Sequence, residues 1–147
     1  MTVIEGPIFA FDIVAYSRRE AVDQAAVQKL ARRLLQEAAT ETGPDSPEQT
    51  WADAGDGGFL ALRSDVDAGR AFMTAFAKGL AEENRTRASE HQVKMRFALH
   101  YGMIRIDQDA MGRAISGDGV NDAARLLAGM GGETTGRVVI SGNYRRR

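Results

Sequence analysis

The segment Ile8–Val14 reads Ile-Phe-Ala-Phe-Asp-Ile-Val, apolar at every position except Asp12. A strand with one wet face alternates, so a nearly continuous run rich in Ile, Val and Phe reads as a buried strand. A single carboxylate close to the end of such a strand is costly unless it is used or paired, which makes Asp12 the first residue to follow.

Beyond that strand, Ser17 and Glu20 have capping-box spacing, and Val27, Leu30, Ala31, Leu34, Leu35 and Ala38 recur at helical spacing, predicting a long amphipathic helix. Gly43, Pro44, Asp45, Ser46 and Pro47 break it. Gln49–Ala54 and Phe59–Leu62 flank Gly55-Asp56-Gly57-Gly58 and predict two antiparallel strands with Asp56 at the hairpin tip. Ser64 and Asp67 open a second helix, with Ala68, Phe72, Phe76 and Leu80 on one stripe.

Between Val93 and Met103 the odd positions are apolar, whereas Lys94, Arg96 and His100 fall on the other face, the clearest strand pattern in the chain. Gly117–Met130 predicts a third helix ended by Gly131-Gly132, and Arg137–Ser141 a last strand. The order β-α-β-β-α-β is an α+β, ferredoxin-like plan, here with an added helix and strand.

A chain of 147 residues, 44% hydrophobic and 27% charged, fits one domain spanning 1–147. A net charge of -1 gives no global attraction to nucleic acid or to an anionic membrane, so a polyanionic ligand has to be met by a local site. With no cysteine, disulfides and thiolate metal sites are excluded. Apolar runs are only strand-length and no signal segment is recognisable, so the expectation is a cytoplasmic protein.

Hard divalent cations take oxygen ligands, often one or two carboxylates completed by substrate phosphates and water. Asp12 and Asp56 are candidates because the end of a central strand and the tip of the adjoining hairpin can be neighbours; equally, Asp12 suits a position leading into a helix and Asp56 a plain turn. Ile13–Arg19, with Tyr16 and Ser17, leads toward a helix N-terminus that would favour a phosphate. Asn121 and Arg125 are four apart and project from one helix face, offering donors to an anionic transition state or, as plainly, to solvent. Arg137 is a further cation near the last strand, and Trp51 a default core residue. His91 and His100 lack obvious sequence partners and read as structural. Rossmann, Walker and serine-hydrolase signatures are absent from the sequence.

Four stretches, in order, resemble the catalytic domain of class III adenylyl and guanylyl cyclases. Phe11-Asp12-Ile13-Val14-Ala15-Tyr16-Ser17 is similar to the first metal motif and Gly55-Asp56-Gly57 to the second. Arg96–Gly102 resembles the central strand motif, and Gly117–Leu126 the transition-state helix. The resemblance spans residues 8–144. It implies two Mg2+ or Mn2+ ions on Asp12, Asp56 and the carbonyl of Ile13, with Asn121 orienting the ribose and Arg125 stabilising the transferring phosphate. Arg137 stands where the family usually has a lysine on the terminal phosphates. The resemblance also implies a homodimer, each site drawing its acids from one subunit and its Asn–Arg pair from the other, and a reaction in which a nucleoside triphosphate gives a 3′,5′-cyclic nucleotide and pyrophosphate.

Two departures shape the expectation. Where the family reads a purine with polar side chains, this sequence has Ala52 and Ala114, with Trp51 beside the first. That pattern is similar to bacterial antiphage pyrimidine cyclases, which implies UTP or CTP as substrate; an adenylyl cyclase with atypical base selection is the neighbouring reading. The family domain also usually continues beyond the strand at Arg137–Ser141, so the plan reads as shortened at its C-terminus. A non-catalytic nucleotide-binding or dimerisation module is the rival from another class. A diguanylate cyclase ranks behind it, because Gly55-Asp56-Gly57-Gly58-Phe59 lacks a second acid.

Overall fold

The computed structural model describes residues 2–42, 51–53, 55–62, 66–109, 112–129 and 138–145, without the side chains of 51–53, 109, 112–114, 138, 139 and 143. Strand β1 (Thr2–Ile13) leads through a 3-10 turn at Tyr16–Arg18 into helix α1 (Ala21–Thr42). Strands β2 (Trp51–Asp53) and β3 (Gly57–Ala61) precede helix α2 (Val66–Arg85). Then come β4 (Met95–Asp109), β5 (Gly112–Ser116), α3 (Asp118–Ala128), β6 (Val138–Ile140) and the short α4 (Gly142–Arg145).

The sheet runs β2-β3-β1-β4-β5, with antiparallel neighbours throughout and β6 parallel to β4. Because β3 lies between β1 and β2, those two strands run parallel, which is the split β-α-β arrangement expected from the element order. The sheet curls: β2 and β5, at opposite ends of this order, approach to within 8 Å between Cα atoms.

The doubly apolar character of β1 follows from cover on both faces. Phe9, Phe11 and Ile13 join Val27, Leu30, Leu34 and Leu35 of α1 and Phe72, Phe76 and Leu80 of α2 in one core. Ile8 and Ala10 point the other way, into a smaller cluster with Ala123 and Leu127 of α3. The first core centres on five phenylalanines: Phe76 has its ring centre 5.1 Å from that of Phe9, 5.2 Å from Phe11 and 5.7 Å from Phe97, and Phe72 lies 5.5 Å from Phe9. Such offset and edge contacts add to the burial of the rings.

Several boundaries differ from the sequence reading. β1 starts at Thr2 rather than Ile8, because Thr2–Glu5 pair with Met103–Ile106 of β4 although their exposure hides the pattern. Ser17 does not cap α1; it lies in the 3-10 turn, and the helix starts only at Ala21. β4 continues to Asp109 and folds back into β5, which the sequence reading did not contain. Met103, expected on the apolar face, is exposed, while Ile104 and Ile106 are buried, since α3 packs on the opposite side of that part of β4. Ser64 and Met130, the expected limits of α2 and α3, lie outside the described residues.

Candidate active site

Asp12 shares the parity of Ile8 and Ala10 but lies at the far end of β1, where its partners are Gly57 of β3 and Arg96 of β4. Its carboxylate is gripped by the Arg96 fork: Nε donates to Oδ1 at 2.8 Å, and the second guanidinium nitrogen donates to Oδ2. Both side chains are largely buried, 14% and 16% exposed. Bidentate charge-assisted pairing of this kind fixes direction as well as charge. The bond to Asp12 holds Arg96 even more firmly protonated than usual, against the cost of burial, with Asp12 and Asp56 both adding Coulombic attraction.

Asp56 reaches the same place from the hairpin tip. Its backbone oxygen accepts the Ile13 N–H at 2.6 Å, and the tip is tied to α1 by Gln28, whose Nε2 donates 3.2 Å to the Gly55 oxygen. Gly55 has φ +83, which suits glycine, and Gly57 admits no side chain: a Cβ there would lie 2.7 Å from Asp12 Cα. The two acids, 44 positions apart in the sequence, therefore adjoin at neighbouring strand ends.

The segment after β1 is tightly turned. Ala15 is in the left-handed region at φ 58, ψ 29, a conformation that costs a residue with a Cβ about 1–2 kcal/mol. Tyr16 is half-buried, and its backbone oxygen accepts from Gln24 Nε2 at 3.1 Å; Ser17 is exposed. Since the 3-10 turn separates these residues from α1, they do not form the first turn of that helix as the sequence suggested.

Asn121 and Arg125 sit on α3, both exposed, Arg125 at 78%. The start of α3 is pressed onto β4: a Cβ on Gly119 would lie 3.2 Å from Met103 N, and Met103 pairs with Glu5. The same Cβ would lie 2.5 Å from Ile8 Cδ1, and Ile8 is four residues up β1 from Asp12, roughly 13 Å at the usual rise per strand residue. Among the described residues no hydrogen bond or ion pair joins Asn121 or Arg125 to Asp12 or Asp56. In this chain the acids adjoin each other, and the Asn–Arg pair lies on the separate helix α3.

Trp51 and Ala52 lie in β2 opposite Leu60 and Phe59, and Ala114 in β5 opposite Asp107. The curl of the sheet draws these two strands toward each other. Arg137 lies outside the described residues.

Two features escaped the sequence reading. Arg96 was placed only on the polar face of its strand, and nothing short of the register shows that it stands opposite Asp12. His100 is buried with defined partners, Ser141 and Asp122. His91 lies in a 3-10 turn at Ser89–His91, where its backbone oxygen accepts from Arg87 at 3.4 Å.

As a metal centre, the donor set is two hard carboxylates and a nearby carbonyl; among the described residues no group of three or more His, Cys, Asp or Glu converges. Two carboxylates suit Mg2+ or Mn2+, ions that keep water and take further oxygens from a phosphate substrate. Each Asp12 oxygen has a second lone pair beyond the one directed at Arg96, so the pairing is compatible with such an ion.

No family model matches the sequence, and no curated protein matches it. Solved structures do. The adenylate/guanylate cyclase/hydrolase from Silicibacter pomeroyi superposes with TM-score 0.75 at 23% identity, over 99% of this chain and 80% of that one. The fold is that of adenylyl and guanylyl cyclase domains. A bacterial light-regulated adenylyl cyclase gives TM-score 0.73 at 18% identity, covering 99% and 80%. The guanylate cyclase domain from Catenaria anguillulae, solved in complex with GTP, gives 0.69 at 19%, covering 99% and 83%. Within the cyclase fold the acids of this chain occupy the ends of β1 and of the β2–β3 hairpin, and no helix among the described residues is long and apolar enough to cross a membrane.

Proposed function

We propose that this chain is a class III nucleotidyl cyclase domain that closes a nucleoside triphosphate into a 3′,5′-cyclic nucleotide and releases pyrophosphate. The observation that carries the reading is the meeting of Asp12 and Asp56, secured by the Ile13–Asp56 backbone bond and by a position at Gly57 with no room for a side chain. Asp12, Asp56 and the carbonyl of Ile13 would hold Mg2+ or Mn2+. Bound there, the metal supplies a more acidic ribose 3′-hydroxyl and neutralises triphosphate charge.

The protein's own share is placement and electrostatics. Arg96 aims the Asp12 carboxylate and gives the site a fixed cation beside both acids, which a triphosphate arriving there would meet. Tyr16 and Ser17, on the turn after β1, and Arg137 are assigned to phosphate oxygens. Asn121 is assigned to the ribose and Arg125 to the charge that develops as the 3′-hydroxyl attacks the α-phosphorus and pyrophosphate departs. No Ser or His nucleophile is required.

The separation along β1 supports a site shared in a homodimer, with α3 of one copy facing the acids of the other. A two-fold pair makes such a contact reciprocal. For the base, Ala52 and Ala114 carry no polar group to read a purine edge, and their strands approach each other; with Trp51 next to Ala52 in sequence, this supports UTP or CTP, and with it a place in antiphage signalling. The second reading, a catalytically silent nucleotide-binding module, is favoured by the same two alanines.

The test is turnover of ATP, GTP, UTP and CTP with Mn2+, with cyclic product identified by mass. Product from at least one, lost in Asp56→Ala, is expected. Tight nucleotide binding without product from any would replace the cyclase by the silent module, and preference for ATP or GTP would end the pyrimidine assignment.

A further inference from the structure

Arg125, the residue assigned to transition-state charge, is exposed, and a flexible arginine on a helix surface has no preferred direction of its own. Here it has a partner on its own helix: Asp122 Oδ1 accepts from an Arg125 guanidinium nitrogen at 3.0 Å. The other Asp122 oxygen lies 3.6 Å from Nε2 of His100, which belongs to β4 and is buried. On its far side His100 Nδ1 is 2.8 Å from Ser141 Oγ. Ser141 Oγ also accepts the Tyr144 backbone N–H at 3.0 Å and keeps a proton to give His100 Nδ1, while the acceptor-only carboxylate of Asp122 on the other side of the ring favours the tautomer protonated at Nε2. An imidazole accepting at Nδ1 carries its proton on Nε2, toward Asp122.

The surroundings fix this ring. Gly102 leaves the space it fills: a Cβ there would be 3.0 Å from His100 Nε2 and 3.2 Å from Gly119 Cα. Asp118, Glu5 and Arg105 are the other ionisable groups lining the cleft of about 570 Å³ that His100 and Asp122 share. The chain of contacts from Ser141 to His100 to Asp122 to Arg125 therefore runs from the end of β6, beside β4, to the exposed face of α3.

We propose that Asp122 is a positioning residue for Arg125, with His100 as the buried brace that fixes the direction of its carboxylate. The assignment rests on the cyclase reading and deepens it: Asp122 touches no substrate atom but sets where the Arg125 fork points when α3 meets the acids of a second copy.

A double-mutant cycle on the full chain tests it, with kcat and KM measured for wild type, Asp122→Ala, Arg125→Ala and the pair. Asp122→Ala lowers kcat roughly tenfold with KM within about twofold, since misdirection of a group used only in the transition state leaves ground-state binding alone. In the Arg125→Ala background the same change has no further effect, because Asp122 acts through Arg125. His100→Gln, which keeps a donor near the Nε2 position, retains more activity than His100→Ala. Additive losses in the cycle, a raised KM with kcat unchanged, or an Asp122→Ala enzyme as fast as wild type would each overturn the assignment while leaving the cyclase intact. A wild-type chain that turns over none of the four triphosphates removes the cyclase reading and this role with it. Nitrogen-15 spectra of His100 read the brace independently of turnover: the Nε2–H form is expected, and an Nδ1–H form would overturn it.

Discussion

Replacing Gly57 by alanine tests whether the closeness of β1 and β3 is what places the acidic tip. The new methyl group would overlap the Phe11 carbonyl oxygen and lie 2.7 Å from Asp12 Cα and 2.8 Å from the carbonyl carbon of Phe11, where ordinary contact starts at 3.4 Å. All three obstacles are backbone of a buried central strand, and the oxygen is the nearest, so β3 has to move away from β1 by about 1 Å or more. Overpacking of this kind costs about 1–3 kcal/mol of stability. The shift also falls on Asp56, the next residue, and strains its bond to Ile13. Because misplacement by about 1 Å costs on the order of 100-fold in rate, turnover should fall roughly 10- to 100-fold at a temperature where the variant is still folded. Gly55→Ala is the control: φ +83 makes it unfavourable by about 1–2 kcal/mol, yet no atom lies within 4 Å of the new methyl. The assay is kcat at 20 °C beside Tm for both variants. Equal turnover losses in the two, or a Gly57→Ala enzyme with wild-type kcat, would refute the reasoning.

Phe76→Ala empties the centre of the phenylalanine cluster, where the side chain is 0% exposed, and should cost about 3–5 kcal/mol in urea unfolding; a loss below about 1 kcal/mol would contradict the packing described. Burial holds the His100 imidazole below its ordinary 6.5, with Asp122 opposing, so on acidification the unfolded chain takes up the proton first. Its stabilising contribution is complete above about pH 6.5 and falls below it by no more than about 1.4 kcal/mol per pH unit, a slope that Tm measured from pH 5 to 7.5 should show and His100→Gln should lack. Ala15→Gly relieves the left-handed backbone after β1 and should stabilise by about 0.5–1 kcal/mol; destabilisation would mean that this φ is not strained.

What could be read in the sequence was what local pattern encodes. The doubly apolar run around Asp12 announced a strand covered on both sides, and the stripe Phe72, Phe76, Leu80 announced a helix facing one core. Asp56 between glycines gave a hairpin tip because that turn chemistry is local. β5 was invisible, since Gly112–Ser116 has little strand propensity and is held by pairing to the overhang of β4 beyond β1. The exposure of Met103 depends on which face α3 covers, a tertiary fact. Arg96 looked like a solvated charge in an alternating strand, and His100 like an isolated histidine; only register and a contact 41 positions away show their partners.

The distance along β1 between the acids and the start of α3 has a consequence for mixtures of damaged chains. The two-fold pair proposed above would contain two centres, each assembled from complementary halves. In that arrangement a subunit lacking Asp56 and one lacking Arg125 would each be inert with their own kind, but together they would rebuild one sound centre and leave the other doubly broken. Random pairing of equal amounts would then restore about a quarter of full activity, so two silent alleles in one cell would complement each other.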